Sequence, residues 1–224
     1  MSSPAQVSPQ QKQLDQFFQQ YREVVFAKKQ VLIHAGDEPA GVYYLASGHV
    51  RQYDISGRTG NELTIHIYNP HSFLPLTWAL NNIPNRYFFQ AMDEVHVRLA
   101  PRDDVVHFLQ GNADQLLALS KRLVFGLDGL MARMEYQVFG SASARIQAEL
   151  LYLARHFGRE EEDGRIVLDR QFTHQGIADL TGTVRETVSV AIERLVAAGL
   201  VSYQGDRIVL EDAARLEAEL KRLL

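Results

Sequence analysis

Two hydrophobic patterns divide the sequence, and the first predicts strands. Between residues 29 and 98, short segments rich in Val, Ile, Tyr and Phe alternate apolar and polar positions, and turn-forming pairs such as Gly36-Asp37 separate them. Alternation with a period of two is expected of strands whose sheet has one face in water. The pattern therefore predicts an N-terminal β-roll, a double-stranded β-helix of the jelly-roll type. A short helix precedes it, with Ser8 as its N-cap, Pro9 at its first position and an end near Gln20.

After Pro101 the apolar residues take up the spacing of a helix. Seven of them recur at intervals averaging about 3.67 residues, which predicts one long helix over 106–140 that ends at a hinge-like junction, Gly140-Ser141. Such a stripe either packs on the chain's own β-roll or forms a seam between two copies of the chain. We favour the seam, and hence a homodimer, because the stripe is long and continuous. The predicted dimer stripe is Leu116, Leu119, Leu123, Leu127, Leu130, Met134 and Val138.

A second, mostly helical domain is predicted beyond this junction. A helix from Ala142 to Phe157 is followed by an acidic loop, Gly158 to Gly164, and by a short strand from Ile166 to Leu168. The predicted domains are a β-roll with the N-terminal helix (1–105), a long dimerisation helix (106–140) and a mostly helical C-terminal domain (141–224).

The DNA-binding prediction rests on two helices joined by a tight turn at Gly182. Each helix has a Thr as its predicted N-cap, Thr173 for the first and Thr183 for the second, which spans 184–198. The two helices share an apolar core made of Ile177, Ala178, Leu180, Val188, Ile192 and Leu195. The start of the second helix, where major-groove readers place their base contacts, leaves on its other face Arg185, Glu186 and Ser189. A strand, turn and strand over 200–210 complete a winged helix-turn-helix.

Composition excludes several kinds of protein. With no Cys in 224 residues there is no disulfide, no Cys-bound zinc or iron–sulfur cluster and no Cys nucleophile. Apolar runs are too short to span a bilayer and no leader precedes them, so we expect a cytoplasmic protein with no membrane partner. The sequence has no His-x-His pair, no Gly-rich phosphate loop and no Ser-His-Asp grouping, so we do not expect an enzyme. A net charge of -4 requires any DNA contact to come from a local surface.

The motif Thr-x-x-x-Ile-Ala-x-x-x-Gly-x-x-Arg-Glu-Thr-Val-Ser, from Thr173 to Ser189, makes the region Arg145 to Leu210 resemble the DNA-binding half of the CRP/FNR family of bacterial transcription regulators. The landmarks Gly36-Asp37 and Tyr43-Tyr-Leu-x-x-Gly48 resemble those of the family's β-roll sensor. The resemblance implies an α+β fold with a β-roll, a long dimerisation helix and a winged helix-turn-helix. It also implies a dimer that reads a two-fold site on double-stranded DNA.

The resemblance implies roles for individual residues. Arg185 would donate to a guanine edge, Glu186 would accept from a cytosine amine, and Ser189 lies on the same base-reading face. An alternative for Glu186 is a capping box with Thr183. The implied phosphate contacts are Thr173, Gln175, Thr183 and Thr187. Two departures leave open a different DNA half-site: Val190 replaces a second base-reading Arg, and Gly176 replaces a common acidic residue.

The net charge of the predicted DNA-binding segment also affects its expected affinity for DNA. Segment 170–210 carries four Arg and four acidic residues, so its net charge is zero and a monomer should bind weakly.

The sensor half lacks the family's cyclic AMP residues. Pro75 and Leu76 stand at the Gly-Glu positions, Leu130 and Met131 at the adenine-binding Thr-Ser positions, and Arg86 is not followed by Ser. Burying a cyclic phosphate there would leave its charge unpaired, so we do not expect cyclic AMP. The aromatic residues that stand in place of the family's cyclic AMP-binding residues either fill the β-roll core or line a pocket for an unknown small-molecule effector. The candidate pocket is Trp78, Arg86, Tyr87, Phe89, Leu127, Leu130 and Met131.

Three further alternatives concern partners. Haem, held in some relatives through His, is a minor alternative to our expectation of no cofactor, because no pair among His34, His49, His66, His71, His96 and His107 stands out as axial ligands. The acidic loop Glu160 to Asp163 is either a solvated turn or, as the resemblance implies, a contact for RNA polymerase. The alternative to a DNA reader is a small-molecule- or metal-binding β-roll protein whose C-terminal domain serves interaction.

Overall fold

The computed structural model describes residues 9–58 and 60–222, and the chain divides into two compact units. One unit consists of Met1–Gly57 and Thr64–Val124, and the other of Arg58–Leu63 and Phe125–Leu224. Within the described residues, no helix is both long enough and apolar enough to cross a membrane. The helices are α1 Pro9–Gln19, α2 Leu76–Asn81, α3 Arg102–Gln110, α4 Ala113–Phe139, α5 Ala142–Phe157, α6 His174–Thr181, α7 Arg185–Ala197 and α8 Ala213–Lys221. The strands are β1 Arg22–Phe26, β2 Val31–Ile33, β3 Val42–Ser47, β4 Val50–Ile55, β5 Glu62–Tyr68, β6 Phe73–Leu74, β7 Phe88–Ala91, β8 Val95–Ala100, β9 Gly158–Glu160, β10 Ile166–Leu168, β11 Val201–Gln204 and β12 Arg207–Leu210.

The first unit is the β-roll that the alternating pattern predicts. Strands β1, β8, β3 and β6 pair antiparallel in that order, and β2, β7, β4 and β5 form a second four-stranded sheet. Strand β3 is buried on both faces, which explains its unbroken apolar run. Val42 and Tyr44 enter one core cluster with α1, α2 and α3, while Tyr43 and Leu45 enter a second cluster with β2, β4 and β7.

The N-terminal helix is part of the first of these cores. Its Phe18 is almost fully buried and stacks on Tyr44 with ring centroids 4.3 Å apart. The predicted helix is confirmed to Gln19, whereas its predicted N-cap, Ser8, lies outside the described residues.

The single long helix predicted over 106–140 is wrong, because the chain breaks it into α3 and α4. Asn112 makes the break: its side-chain Nδ2 donates to the Phe108 carbonyl at 2.7 Å, and its own carbonyl accepts from Leu116 N at 3.0 Å. Gly111, the C-cap of α3, ends the first helix together with Asn112, and Asn112 opens the second. The apolar spacing continues across the break, so periodicity alone predicted no interruption.

The junction between α4 and α5 accepts only glycine. A Cβ on Gly140 would lie 2.5 Å from the Tyr136 carbonyl oxygen, closer than any real contact. Ser141 then caps α5, its hydroxyl accepting from Ala144 N at 3.2 Å. Helix α5 has the bounds that the sequence predicted.

The predicted acidic loop is shorter than expected. Residues 158–160 form β9, which pairs antiparallel with β10 through Gly158↔Leu168 and Glu160↔Ile166. Gly164, at φ 83°, allows the tight turn between the two strands. Two carboxylates of that turn are already paired, Glu161 with Arg159 at 2.9 Å and Asp163 with Arg165 at 2.6 Å. Hydrogen bonds from the backbone N–H and the guanidinium of Arg165 hold the pKa of the Asp163 carboxyl below its usual value.

Candidate nucleic-acid interface

Helices α6 and α7 form the predicted helix pair, and their shared apolar core is confirmed. Gly182 adopts the left-handed conformation, at φ 63°, that the turn between them requires. Thr173 caps α6, since its Oγ1 accepts from Gly176 N at 3.0 Å. The buried positions are Ile177, Ala178, Leu180, Val188, Ile192 and Leu195.

Thr183 is not the N-cap of α7, so that prediction and the capping-box alternative for Glu186 are both wrong. The N-cap is Val184, and α7 spans 185–197 rather than 184–198. The Thr183 backbone N–H donates back to the Ala178 carbonyl at 3.1 Å, and its hydroxyl lies 2.9 Å from that of Thr181. Thr183 therefore closes the end of α6, in a Schellman arrangement, rather than opening α7.

Arg185 and Glu186 occupy the first turn of α7 on the face away from the core. Both side chains are exposed, and neither has a hydrogen bond or ion pair with another described residue. Their functional groups are therefore available to an external partner. Val190, one turn further along, is also exposed.

Ser189, by contrast, is already engaged. Its hydroxyl lies 2.8 Å from His174 Nδ1 and donates to the Arg185 carbonyl at 3.1 Å. His174 Nε2 in turn lies 2.9 Å from the Tyr203 hydroxyl. This chain of contacts, which we call the His174 bridge, joins α6, α7 and the wing strand β11. Sequence reasoning missed His174 and Tyr203, because nothing in the pattern pairs side chains 15 and 29 residues apart.

Of the residues proposed to contact phosphates, Thr173 and Gln175 lie at the start of α6, Thr183 lies between the two helices and Thr187 lies on α7. Thr173 is exposed while its hydroxyl caps α6, and the Gln175 side chain donates to Asp179 at 2.8 Å. Thr187 is half-buried on α7. The wing is confirmed as the hairpin β11–β12, and it extends a four-stranded sheet in the order β11, β12, β10, β9. The wing hairpin is therefore held in a sheet that belongs to the same unit as the helix pair.

A cavity of about 300 Å³ lies in the β-roll. Four of the seven predicted pocket residues line it: Trp78, Arg86, Tyr87 and Phe89. Leu127, Leu130 and Met131 belong to the second unit, where they are exposed on α4. Two of the aromatic residues that line the cavity also fill the core, because Trp78 and Phe89 are buried members of the two core clusters.

Arg86 is the one charged side chain among the described residues that line this cavity, and its guanidinium lies 5.1 Å from the centre of the Tyr87 ring. Pro75 and Leu76 also line it, and they offer an anion no charged group. The remaining polar groups include Tyr68, whose hydroxyl donates to Gln52 at 2.9 Å and whose pKa is raised by burial. Within the described residues no cluster of three or more His, Cys, Asp or Glu side chains could hold a metal ion.

The apolar stripe of α4 is exposed at six of its seven positions. Leu119 is the exception, because it is 7% exposed and belongs to the β-roll core with Leu14 and Leu109. Of the two glycines in α4, Gly129 approaches the Tyr152 ring, while Gly126 has open space around it. The exposed stripe positions are Leu116, Leu123, Leu127, Leu130, Met134 and Val138.

Comparison with known proteins agrees with this architecture. The family model for the cyclic nucleotide-binding domain matches residues 23–112, and that for the Crp-like helix-turn-helix domain matches residues 144–219. The transcriptional regulator LdrP of Thermus thermophilus is 29% identical over 87% of this chain and 94% of its own. The global nitrogen regulator of Nostoc sp. is 26% identical over 87% of each chain.

Solved structures show the same fold. A CRP/FNR-family transcriptional regulator from Thermus thermophilus superposes with a TM-score of 0.68 and 28% identity, covering 90% of this chain and 98% of that one. A CooA mutant from Carboxydothermus hydrogenoformans, at 23% identity, shares the fold with a TM-score of 0.75, covering 91% and 89%. With both halves matched and a DNA-binding helix pair in place, the chain belongs to the CRP/FNR family of transcription regulators.

Proposed function

We propose that this regulator binds a two-fold DNA site as a homodimer, with α7 of each copy in the major groove. The observation that carries this proposal is the free pair at the start of α7, Arg185 and Glu186. A guanidinium can donate two hydrogen bonds to guanine, and a carboxylate can accept from the cytosine amine. Ser189 orients this turn through its bond to the Arg185 carbonyl, and does not read a base.

Two copies are needed because the DNA-binding segment of one copy carries no net charge. Segment 170–210 sums to zero, so counterion release by a single copy is small. The exposed stripe on α4 offers the seam for a second copy. In such a dimer the two α7 helices would read half-sites about 34 Å apart, which is one turn of DNA.

Selection of bound sequences from a random duplex library tests this proposal directly. The purified full chain is expected to enrich a two-fold sequence whose half-sites lie about one helical turn apart. The half-site should contain a G·C pair, which Arg185 and Glu186 together recognise. Enrichment of a single half-site without symmetry would contradict dimeric reading, and unchanged base frequencies would contradict sequence-specific reading.

We further propose that the effector site is the β-roll cavity and that its ligand is a small aromatic molecule with no phosphate group and at most one carboxylate. Aromatic rings line the cavity, and Arg86 can pair with one anionic group. Cyclic AMP is disfavoured, because the side chains of Pro75 and Leu76 offer its phosphate neither a positive charge nor a hydrogen bond. A bound effector would shift the regulator between two states of different DNA affinity.

Trp78 reports on this cavity, because it is the single Trp of the chain and lies in the cavity wall. We expect cyclic AMP at about 1 mM, a concentration far above the Kd of a specific site, to leave the Trp78 emission unchanged. The thermal midpoint should also stay constant, since a ligand that binds only the native state would raise it. A saturable change in Trp78 emission with cyclic AMP would contradict the proposed ligand class.

A further inference from the structure

A buried ion pair joins the long helix to the DNA-binding domain. Arg133 on α4 places its Nε 3.0 Å from Oε2 of Glu149 on α5. The Glu149 side chain is 3% exposed and that of Arg133 is 15% exposed, so both charges have lost most of their water. The Arg133 guanidinium also lies 4.9 Å from the centre of the Tyr152 ring.

The pair is not explained by stability. Burial raises the pKa of the Glu149 carboxyl to about 7, even though Arg133 acts to lower it. The second carboxylate oxygen, Oε1, is buried without a hydrogen-bond partner among the described residues. Apolar residues of similar volume commonly give equal or greater stability than a buried pair of this kind. Since burial of these two charges costs free energy, the pair is better explained by the relative placement of α4 and α5 that it fixes.

Arg133 and its neighbour on α4 also contact α6, the first helix of the DNA-binding pair. Arg133 donates through a terminal nitrogen to the Leu180 carbonyl at 3.4 Å, and Gln137 donates to the Thr181 carbonyl at 3.4 Å. Both carbonyls belong to the last turn of α6, where the backbone carbonyls lack helical partners and the helix dipole favours a cation. Arg133 therefore contacts α5 and α6 at once from its place on α4.

We propose that Arg133 is a positioning residue for DNA binding, and that through Glu149 and the Leu180 carbonyl it fixes the α6–α7 pair on the end of the long helix. This inference rests on the proposed dimeric reading of DNA. A dimer holds the two long helices together, so whatever fixes α6 and α7 on α4 also sets the spacing of the two α7 helices. Without the Arg133 contacts, each α6–α7 pair would stay folded but would be misplaced relative to the α6–α7 pair of the partner copy.

Protonation of Glu149 provides a readout that a purely structural role would not give. Glu149 faces Arg133 from α4 and Tyr152 from its own helix, and α6 presents backbone carbonyls. On α8, Glu217 pairs with both Lys221 and Arg155. Because the folded pKa of Glu149 is raised, the folded state takes up this proton more readily than the unfolded state. Its contribution to stability is therefore greatest below the unfolded pKa and is lost as the pH rises through about 7. Protonation removes the ionic partner of Arg133 at the same time, so DNA affinity should fall at acid pH while this contribution to stability rises.

The experiment compares the full chain with the double variant Arg133→Met/Glu149→Leu, which removes both charges and keeps the site filled. We expect a thermal midpoint equal to or above that of the wild type, and an affinity for the selected duplex about tenfold lower, typical of coupling between sites. The matched control is Arg155→Met/Glu217→Leu, an ion pair of the same 3.0 Å length on the surface, which should change neither quantity.

A pH series on a second variant, Glu149→Gln, keeps the test independent of how the double variant folds. Wild-type affinity should fall between about pH 8 and about pH 6, whereas the Glu149→Gln variant should show no such dependence. Wild-type DNA affinity in a folded double variant, or the same pH dependence in Glu149→Gln, would overturn the role of Arg133. A wild-type protein that selects no duplex would instead refute the proposed function itself.

Discussion

Replacing Arg185 with Ala should weaken binding to the selected duplex by about 1–3 kcal/mol per half-site, or roughly five- to more than a hundredfold. The guanidinium is exposed, has no partner among the described residues and stands in the first turn of α7. Its loss removes hydrogen bonds to a base edge and leaves the helix pair intact, because the buried core of that pair does not include Arg185. Specificity at the contacted base pair should relax in parallel.

The matched control for this prediction is Arg194→Ala. Arg194 is exposed on the last turn of the same helix, so the control removes the same charge at the other end of α7. Competition binding with specific and scrambled duplexes separates the two cases. Arg185→Ala should lose only the preference for the specific duplex, whereas Arg194→Ala should keep it. Equal losses on both duplexes would show that Arg185 acts through charge alone and reads no base.

The second large effect is expected from charges placed in the α4 stripe. The double variant Leu127→Glu/Leu130→Glu puts two carboxylates on each of two facing helices, at positions that are exposed in the single chain. The protein should become monomeric, as measured by sedimentation equilibrium. Affinity for the two-fold duplex should then fall by at least about a hundredfold, because the second half-site no longer binds intramolecularly.

The control Val25→Glu introduces a carboxylate at an equally exposed apolar residue on β1, outside the stripe. It should leave both the mass in solution and the DNA affinity unchanged. A Leu127→Glu/Leu130→Glu protein that remains dimeric would place the dimer seam elsewhere on the chain.

Periodicity predicted the elements whose signal is local. The bounds of α5 match those predicted, because Ser141 caps the helix and the apolar face continues to Phe157. It failed at Asn112, where the apolar positions 105, 109, 116 and 119 keep a helical spacing across a real break. The break falls at Gly111, the C-cap of α3, and at Asn112, whose side chain bonds to Phe108. Gly-Asn is a helix stop signal that the apolar spacing does not include.

The candidate site shows the same division between local and tertiary signals. The exposed face of Arg185 and Glu186 follows from helical spacing, and the sequence placed it correctly. Thr183 with Glu186 three residues later has the spacing of a capping box, yet the turn at Gly182 has already committed the Thr183 N–H to Ala178. Ser189 lies on the outward face, as expected, but its hydroxyl is taken by His174 from another helix.

The wing and the His174 bridge also limit what regulation can change. Strand β11 belongs to a four-stranded sheet and is bound through Tyr203 and His174 to the start of α7. The parts that meet DNA therefore move as one body, and a signal can shift that body without rearranging it. We expect the regulator to recognise one set of promoters under all conditions, with the signal changing how many of them are occupied and never which ones.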